Sequence, residues 1–197
     1  MSGARAATER LRLFVALELP EDARGALVRW RESVAADALA RETAAPAAPG
    51  LRMIASEYLH ATLCFIGWRD ADVLPAVVDA CDTLSARRAP QLRLDRALWL
   101  PRRRPRVLAV QLSGDDELAQ IQSQLSLALS DVGYVPEKRP YLPHVTVARV
   151  RAGARPRPVE LPAPPAVRFE APRVTLYRSL LGAGGARYEP LSVIELV

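Results

Sequence analysis

Cysteine, histidine and lysine are all scarce here: the 197 residues hold two, two and one of them. Two cysteines, Cys64 and Cys81, make no disulfide framework, so the expected compartment is a reducing one, the cytoplasm. No apolar run reaches bilayer length; the best early candidate, 13–19, already contains Glu18. The same glutamate interrupts any secretory apolar stretch, and no small-residue cleavage signal follows, so neither a signal peptide nor a membrane partner is expected. Lys138 is the only lysine among 27 basic residues, so the net charge of +5 is carried almost wholly by arginine. The planar arginine fork suits phosphate oxygens, which leans towards a polyanion such as RNA. An Ala- and Arg-rich composition is equally what a GC-rich genome produces, and net charge speaks only weakly to partners. Half the residues are hydrophobic, which excludes disorder as the main state and suffices for a sizeable core.

Periodicity gives the organisation. Residues 1–9 are polar and expected to fray; 12–19, RLFVALEL, reads as a strand. Pro20 opens a helix with Glu21 and Asp22 in its first turn and Ala23, Leu27, Trp30 and Val34 on its buried face. An Ala/Pro loop is expected over 43–50, then a strand at 60–66, HATLCFI, stopped by Gly67. Asp70 and Asp72 start a second helix with Val73, Val77, Cys81 and Leu84 inward, which makes Cys81 a core residue. Strands follow at 91–100 and 106–112 around the turn 101–105. A third helix opens at Asp115 and Asp116, buries Leu118, Ile121, Leu125 and Ala128, and ends near Gly133. The next strand is 144–150, HVTVARV. Six prolines between 156 and 172 predict a loop or crossover; 167–177 and 187–197 read as closing strands around a glycine-rich turn at 181–186.

This order repeats itself. RLFVALELPED, a helix and HATLCFIG are echoed by RVLAVQLSGDD, a helix and HVTVARV. No dinucleotide fingerprint, P-loop or zinc-finger spacing is present. The expected fold is α+β: two pseudo-symmetric lobes of antiparallel-rich sheets, helices outside, and a central cleft carrying the two H-x-T motifs, in a single bilobal domain over 1–197.

His60 and His144 are the whole histidine complement, and each is followed two residues later by a threonine, Thr62 and Thr146. With six threonines in the chain, chance produces this about one time in a thousand, a modest false-positive risk. Strand alternation puts His60 and Thr62 on one face and Ala61 and Leu63 on the other, and likewise His144 and Thr146 against Val145 and Val147. Two imidazoles facing one reacting centre supply a general base and a general acid. Two hydroxyls can donate to the non-bridging oxygens of a phosphate. In-line displacement at phosphorus needs groups on opposite sides, which lobes related by two-fold symmetry provide. The set fits metal-free phosphodiester cleavage.

The paired H-x-T motifs resemble those of the 2H phosphoesterases. The likeness extends to the RNA 2′,3′-cyclic phosphodiesterases, formerly called 2′-5′ RNA ligases, through RLFVALELP, HATLCFIG, PRRRPRVLAV, GYVPEKRPYLPHVTVAR and LYRSLLGAGGARYEPL. The resemblance implies His60 as proton donor, His144 as acceptor, and Thr62 and Thr146 as phosphate-holding residues. It implies hydrolysis of RNA or nucleotide 2′,3′-cyclic phosphates to 2′-phosphomonoesters without a cofactor or metal. Some relatives also join or open 2′-5′ linkages.

Other readings compete. Alternation places Cys64 on the His60 face, so His60, Cys64 and His144 are a candidate three-ligand metal set. A non-catalytic RNA-binding module would use the PRRRPR turn (Arg102, Arg103, Arg104) with Trp99 as a stacking surface, although a solvated hairpin tip explains the turn as well. Alternation sets Arg149 opposite His144 and Thr146 and leaves it outside the site. Tyr141 and Pro143 read as packing, Trp30 as core, and Tyr177 and Tyr188 as possible cleft edges that spacing does not demand. A monomer is expected.

Overall fold

A computed structural model of the chain describes residues 9–41, 50–154, 160–182 and 185–197. The expected fray over residues 1–8, most of the loop at 43–50, part of the proline-rich stretch and the centre of the last turn lie outside the described residues. The elements run β1 (Arg10–Glu18), α1 (Glu21–Arg41), β2 (Leu51–Met53), β3 (His60–Asp70), α2 (Leu74–Asp82), β4 (Gln91–Leu100), β5 (Val107–Gly114), α3 (Glu117–Ala128), β6 (His144–Val150), β7 (Arg168–Glu170), β8 (Arg173–Gly182) and β9 (Gly185–Glu195).

The strands form one nine-stranded sheet in the order β7-β4-β5-β6-β3-β1-β8-β9, with β2 added beside β6. All pairings are antiparallel. The two expected lobes are therefore the halves of one sheet, β7-β4-β5-β6 and β3-β1-β8-β9, rather than two separate sheets. Each half contains one copy of the repeat, β1-α1-β3 or β5-α3-β6. They join through β3 and β6, whose register pairs Ala61 with Val145 alone. Beyond this pair β6 is edged by β2 instead, with Met53 opposite Ala148 and Leu51 opposite Val150. Two strands that touch at one position leave an opening between the halves.

The expected helical stripes form the core. Ala23, Leu27, Val77, Cys81, Leu84, Leu118, Ile121 and Leu125 join Leu13, Val15, Leu17, Ala61, Leu63, Val145 and Val147 in one buried cluster, and Trp30 belongs to it as well. Burying this much apolar surface is the main drive to the fold.

Three expectations shift. Gly67 does not stop its strand; it continues within β3 at φ +80°, a conformation glycine adopts without strain. The segment at 167–177 divides into β7 and β8, because Pro172 has no N–H to extend a ladder. The three-residue β2 carries too few residues for a period-two signal and escaped the sequence reading.

Candidate active site

The Ala61–Val145 pair is also the centre of the site. These residues are the middle positions of the two H-x-T motifs, so the pseudo-two-fold relation between the halves passes beside them. In antiparallel pairing the neighbours run in opposite directions, which sets His60 alongside Thr146 and Thr62 alongside His144. All four side chains line one cleft, together with Ile54, Tyr58, Arg149 and Tyr188.

Both rings are held in the same way. His60 Nδ1 lies 2.7 Å from the Tyr58 carbonyl oxygen, and His144 Nδ1 lies 2.7 Å from that of Leu142. A carbonyl only accepts, so each Nδ1 carries the proton and each Nε2 is left to exchange a proton with a bound molecule. The two threonine hydroxyls have no side-chain partner among the described residues, which suits them to donate to an anion between the rings. Tyr141, expected only to pack, donates its hydroxyl to the Thr62 carbonyl at 3.2 Å and so ties the segment before the second motif to the first.

The site side chains on either half share one burial sequence. From each histidine it reads half-buried, buried, half-buried, buried, buried, exposed, ending at Phe65 in β3 and Arg149 in β6. The cause is a matched pair of β-bulges. Val15 pairs with Cys64 but Ala16 with Thr62, which leaves Leu63 as an extra residue. Leu108 pairs with Ala148 but Ala109 with Thr146, which leaves Val147 extra. One inserted residue inverts the alternation beyond it.

That inversion overturns two readings from strict alternation. Cys64 turns to the core: it is 1% exposed, and its Sγ lies 3.5 Å from Ser126 Oγ on α3. Burial pushes its thiol up, which keeps it protonated and unsuited to binding metal. The set His60, Cys64 and His144 therefore does not converge, and no group of three or more His, Cys, Asp or Glu side chains among the described residues is arranged to hold a metal. Arg149 turns the other way, into the cleft. The sequence trace of both bulges is two adjacent apolar residues after each H-x-T, Leu63-Cys64 and Val147-Ala148, where alternation calls for one.

Around the histidines the pseudo-symmetry is broken. The His60 ring has Phe14 at 5.1 Å, Tyr188 at 5.4 Å and Tyr177 at 6.3 Å between centroids. Tyr58 joins this group through Tyr188, 5.0 Å away. Of these, the sequence offers only Tyr177 and Tyr188 as cleft edges, without a spacing that demands it; Phe14 and Tyr58 carry no signal. The His60 pKa is lowered to about 4, mainly by desolvation in this cluster; the hydrogen bond to Tyr58 opposes the shift, and the charges of Arg149 and His144 add to it. Arg102, Arg103 and Arg104 are exposed at the β4–β5 turn and do not line the cleft, while Trp99 packs partly buried against the core.

Comparison with known proteins agrees with this architecture. The curated RNA 2′,3′-cyclic phosphodiesterase of Escherichia coli is 30% identical over 193 residues, covering 93% of this chain and 96% of its own. The protein of that name from Aeropyrum pernix is 34% identical over 135 residues, 66% of this chain and 69% of its own. Among solved structures, E. coli LigT complexed with 3′-AMP superposes with a TM-score of 0.76 at 28% identity, covering 95% of this chain and 99% of that one. TT0787 of Thermus thermophilus gives a TM-score of 0.77 at 26% identity over 94% and 97% of the two chains. The sequence profile of the 2′-5′ RNA ligase superfamily matches residues 19–183. A match over most of the chain, in a fold shared end to end with those structures, makes the chain a member of the 2′-5′ RNA ligase superfamily.

Proposed function

We propose that the protein is an RNA 2′,3′-cyclic phosphodiesterase. It opens the cyclic phosphate at an RNA or nucleotide 3′ end and leaves a 2′-phosphomonoester. The observation that carries the reading is a cleft shared by His60, Thr62, His144 and Thr146, in a chain that matches enzymes of that name along most of its length.

The chemistry needs two proton transfers at phosphorus. His144 Nε2 takes a proton from water as its oxygen forms the new P–O bond. His60, carrying a proton on Nε2, gives it to the 3′ oxygen as that P–O bond breaks. Each such transfer contributes roughly a hundred- to ten-thousand-fold. The Thr62 and Thr146 hydroxyls, with the Arg149 guanidinium, hold the non-bridging oxygens and stabilise the charge that builds on them. The phosphate anion, once bound, favours the imidazolium and raises the His60 pKa from its low value in the empty cleft. An RNA 5′-hydroxyl in place of water forms a 2′-5′ linkage with the same proton transfers.

One copy supplies both motifs, which supports action as a monomer. One continuous sheet over one core supports a single domain for 1–197. No helix among the described residues is long and apolar enough to cross a membrane, and two unpaired, buried cysteines fit a cytoplasmic setting. The test is product analysis on a nucleoside 2′,3′-cyclic phosphate. Release of the 2′-phosphate, abolished in both His60→Ala and His144→Ala while the circular dichroism spectrum is kept, is the expected result. Release of the 3′-phosphate, or near-normal turnover in either variant, contradicts the assignment.

A further inference from the structure

Next to the histidine cleft lies a larger cavity of about 460 Å³. Ile54, Tyr58, Arg149 and Tyr188 line both, so the two spaces share a wall. Arg12 and Arg52 line the larger cavity and not the cleft, and among the described residues no carboxylate lines it. Arg12 is fixed in place: its Nη1 donates to Ser179 Oγ at 2.9 Å, and its guanidinium carbon sits 4.6 Å over the Phe65 ring. These contacts use one of its five donors and set the plane of the fork. The Arg52 guanidinium passes so close to Gly185 that an added Cβ there would fall 1.8 Å from Nη1. Glycine in the last hairpin is thus what admits the arginine.

Resting on the function proposed above, we infer that this cavity is a second phosphate subsite, which binds the phosphate on the 5′ carbon of the nucleotide whose cyclic phosphate is cut. A nucleotide with a 2′,3′-cyclic phosphate has one further point of attachment on its sugar, the 5′ oxygen. In RNA that oxygen carries the next phosphodiester. With the cyclic phosphate between His60 and His144, the nucleoside lies along the wall of Tyr58 and Tyr188. Arg12 and Arg52 then meet the following phosphate. Two guanidinium groups lining one cavity suit an oxyanion. A 5′-phosphomonoester on a mononucleotide offers the same oxygens as the RNA diester.

Three substrates test this: cytidine 2′,3′-cyclic phosphate, its 5′-phosphorylated form, and a dinucleotide ending in the same cyclic cytidylate. The 5′-phosphorylated form, and with it the dinucleotide, should exceed the bare cyclic nucleotide in kcat/KM by about tenfold or more, the worth of a hydrogen bond to charge. Arg12→Ala and Arg52→Ala should each remove most of that gain, and Arg12→Lys, with charge but no fork, should retain part of it. Turnover of the bare cyclic nucleotide by each variant reports that the fold and the histidine cleft survive. Equal kcat/KM for all three substrates overturns the inference, as does a gain that persists in both alanine variants. A gain for the dinucleotide alone also overturns it, since recognition would then lie in the preceding nucleoside. Failure of the wild-type protein to hydrolyse any of the three would instead refute the phosphodiesterase reading itself.

Discussion

Glu18 stands directly across β1 and β3 from His60, whereas Gln111 stands in the matching place across β5 and β6 from His144. The two halves thus repeat their backbone while differing in chemistry around each ring. The Glu18 carboxylate accepts from Thr175 Oγ1 at 2.6 Å and from the Tyr177 hydroxyl at 3.0 Å. Tyr177 stacks on Phe14 at 5.2 Å, and Phe14 packs on His60. On the other half Gln111 accepts from Arg96 Nε at 2.8 Å, at an exposed position.

The first prediction concerns pH. His60 is lowered to about 4 from an ordinary 6.5 or so, so between these values the unfolded chain binds more protons than the folded one. The contribution to stability is full above the unfolded pKa and is lost as pH falls towards about 4. Its size is about 3 kcal/mol. Urea midpoints at neutral and acid pH should show a smaller acid loss in His60→Asn than in the wild type. By NMR the His60 ring should titrate near 4 and move upward when inorganic phosphate fills the cleft; an ordinary titration indifferent to phosphate would contradict the account.

Arg149 gives the second. Its charge lowers the His60 pKa, so Arg149→Ala should raise it. The same change should weaken inorganic phosphate binding by about tenfold through loss of a charge-assisted contact. Calorimetry with phosphate and the NMR titration read the two effects separately, and an unchanged affinity would remove Arg149 from the phosphate site.

Third, Glu18→Ala leaves a fully buried Thr175 hydroxyl and the Tyr177 hydroxyl without their acceptor. Stability should fall by about 1–3 kcal/mol for a buried group left unpaired. The Tyr177 phenol, now raised to about 12 by burial and by the Glu18 charge, should titrate lower in the variant. Spectrophotometric titration checks the direction.

A fourth prediction separates Cys64 from the chemistry. Cys64→Ala should leave kcat/KM for a cyclic nucleotide close to wild type, because the Cys64 side chain faces Ser126 on α3 rather than the cleft. Collapse of activity in a variant that stays folded would reopen the metal reading.

Much of this was legible locally. The strands 91–100 and 144–150 coincide with β4 and β6, and the apolar stripes of all three helices lie in the core. These features depend on periods of 2 and 3.6 residues within one segment, which the chain displays without reference to its neighbours. The motif pair is of the same kind, since His60 with Thr62 and His144 with Thr146 need only alternation over three residues.

What lay beyond the sequence was decided between strands. The extra residues Leu63 and Val147 arise only because β1 and β5 pair on both sides of them, and they send Cys64 inward and Arg149 to the cleft. The single Ala61–Val145 pair joins the repeats edge to edge in one sheet. Phe14 and Tyr188 reach His60 from strands far from it in the chain. The amino-acid order determined which groups are present and which face each short segment offers. Cross-strand register, a cooperative outcome of packing the whole sheet, decided which of those faces meet, and so which ring sits among aromatics and which residues reach the phosphate site.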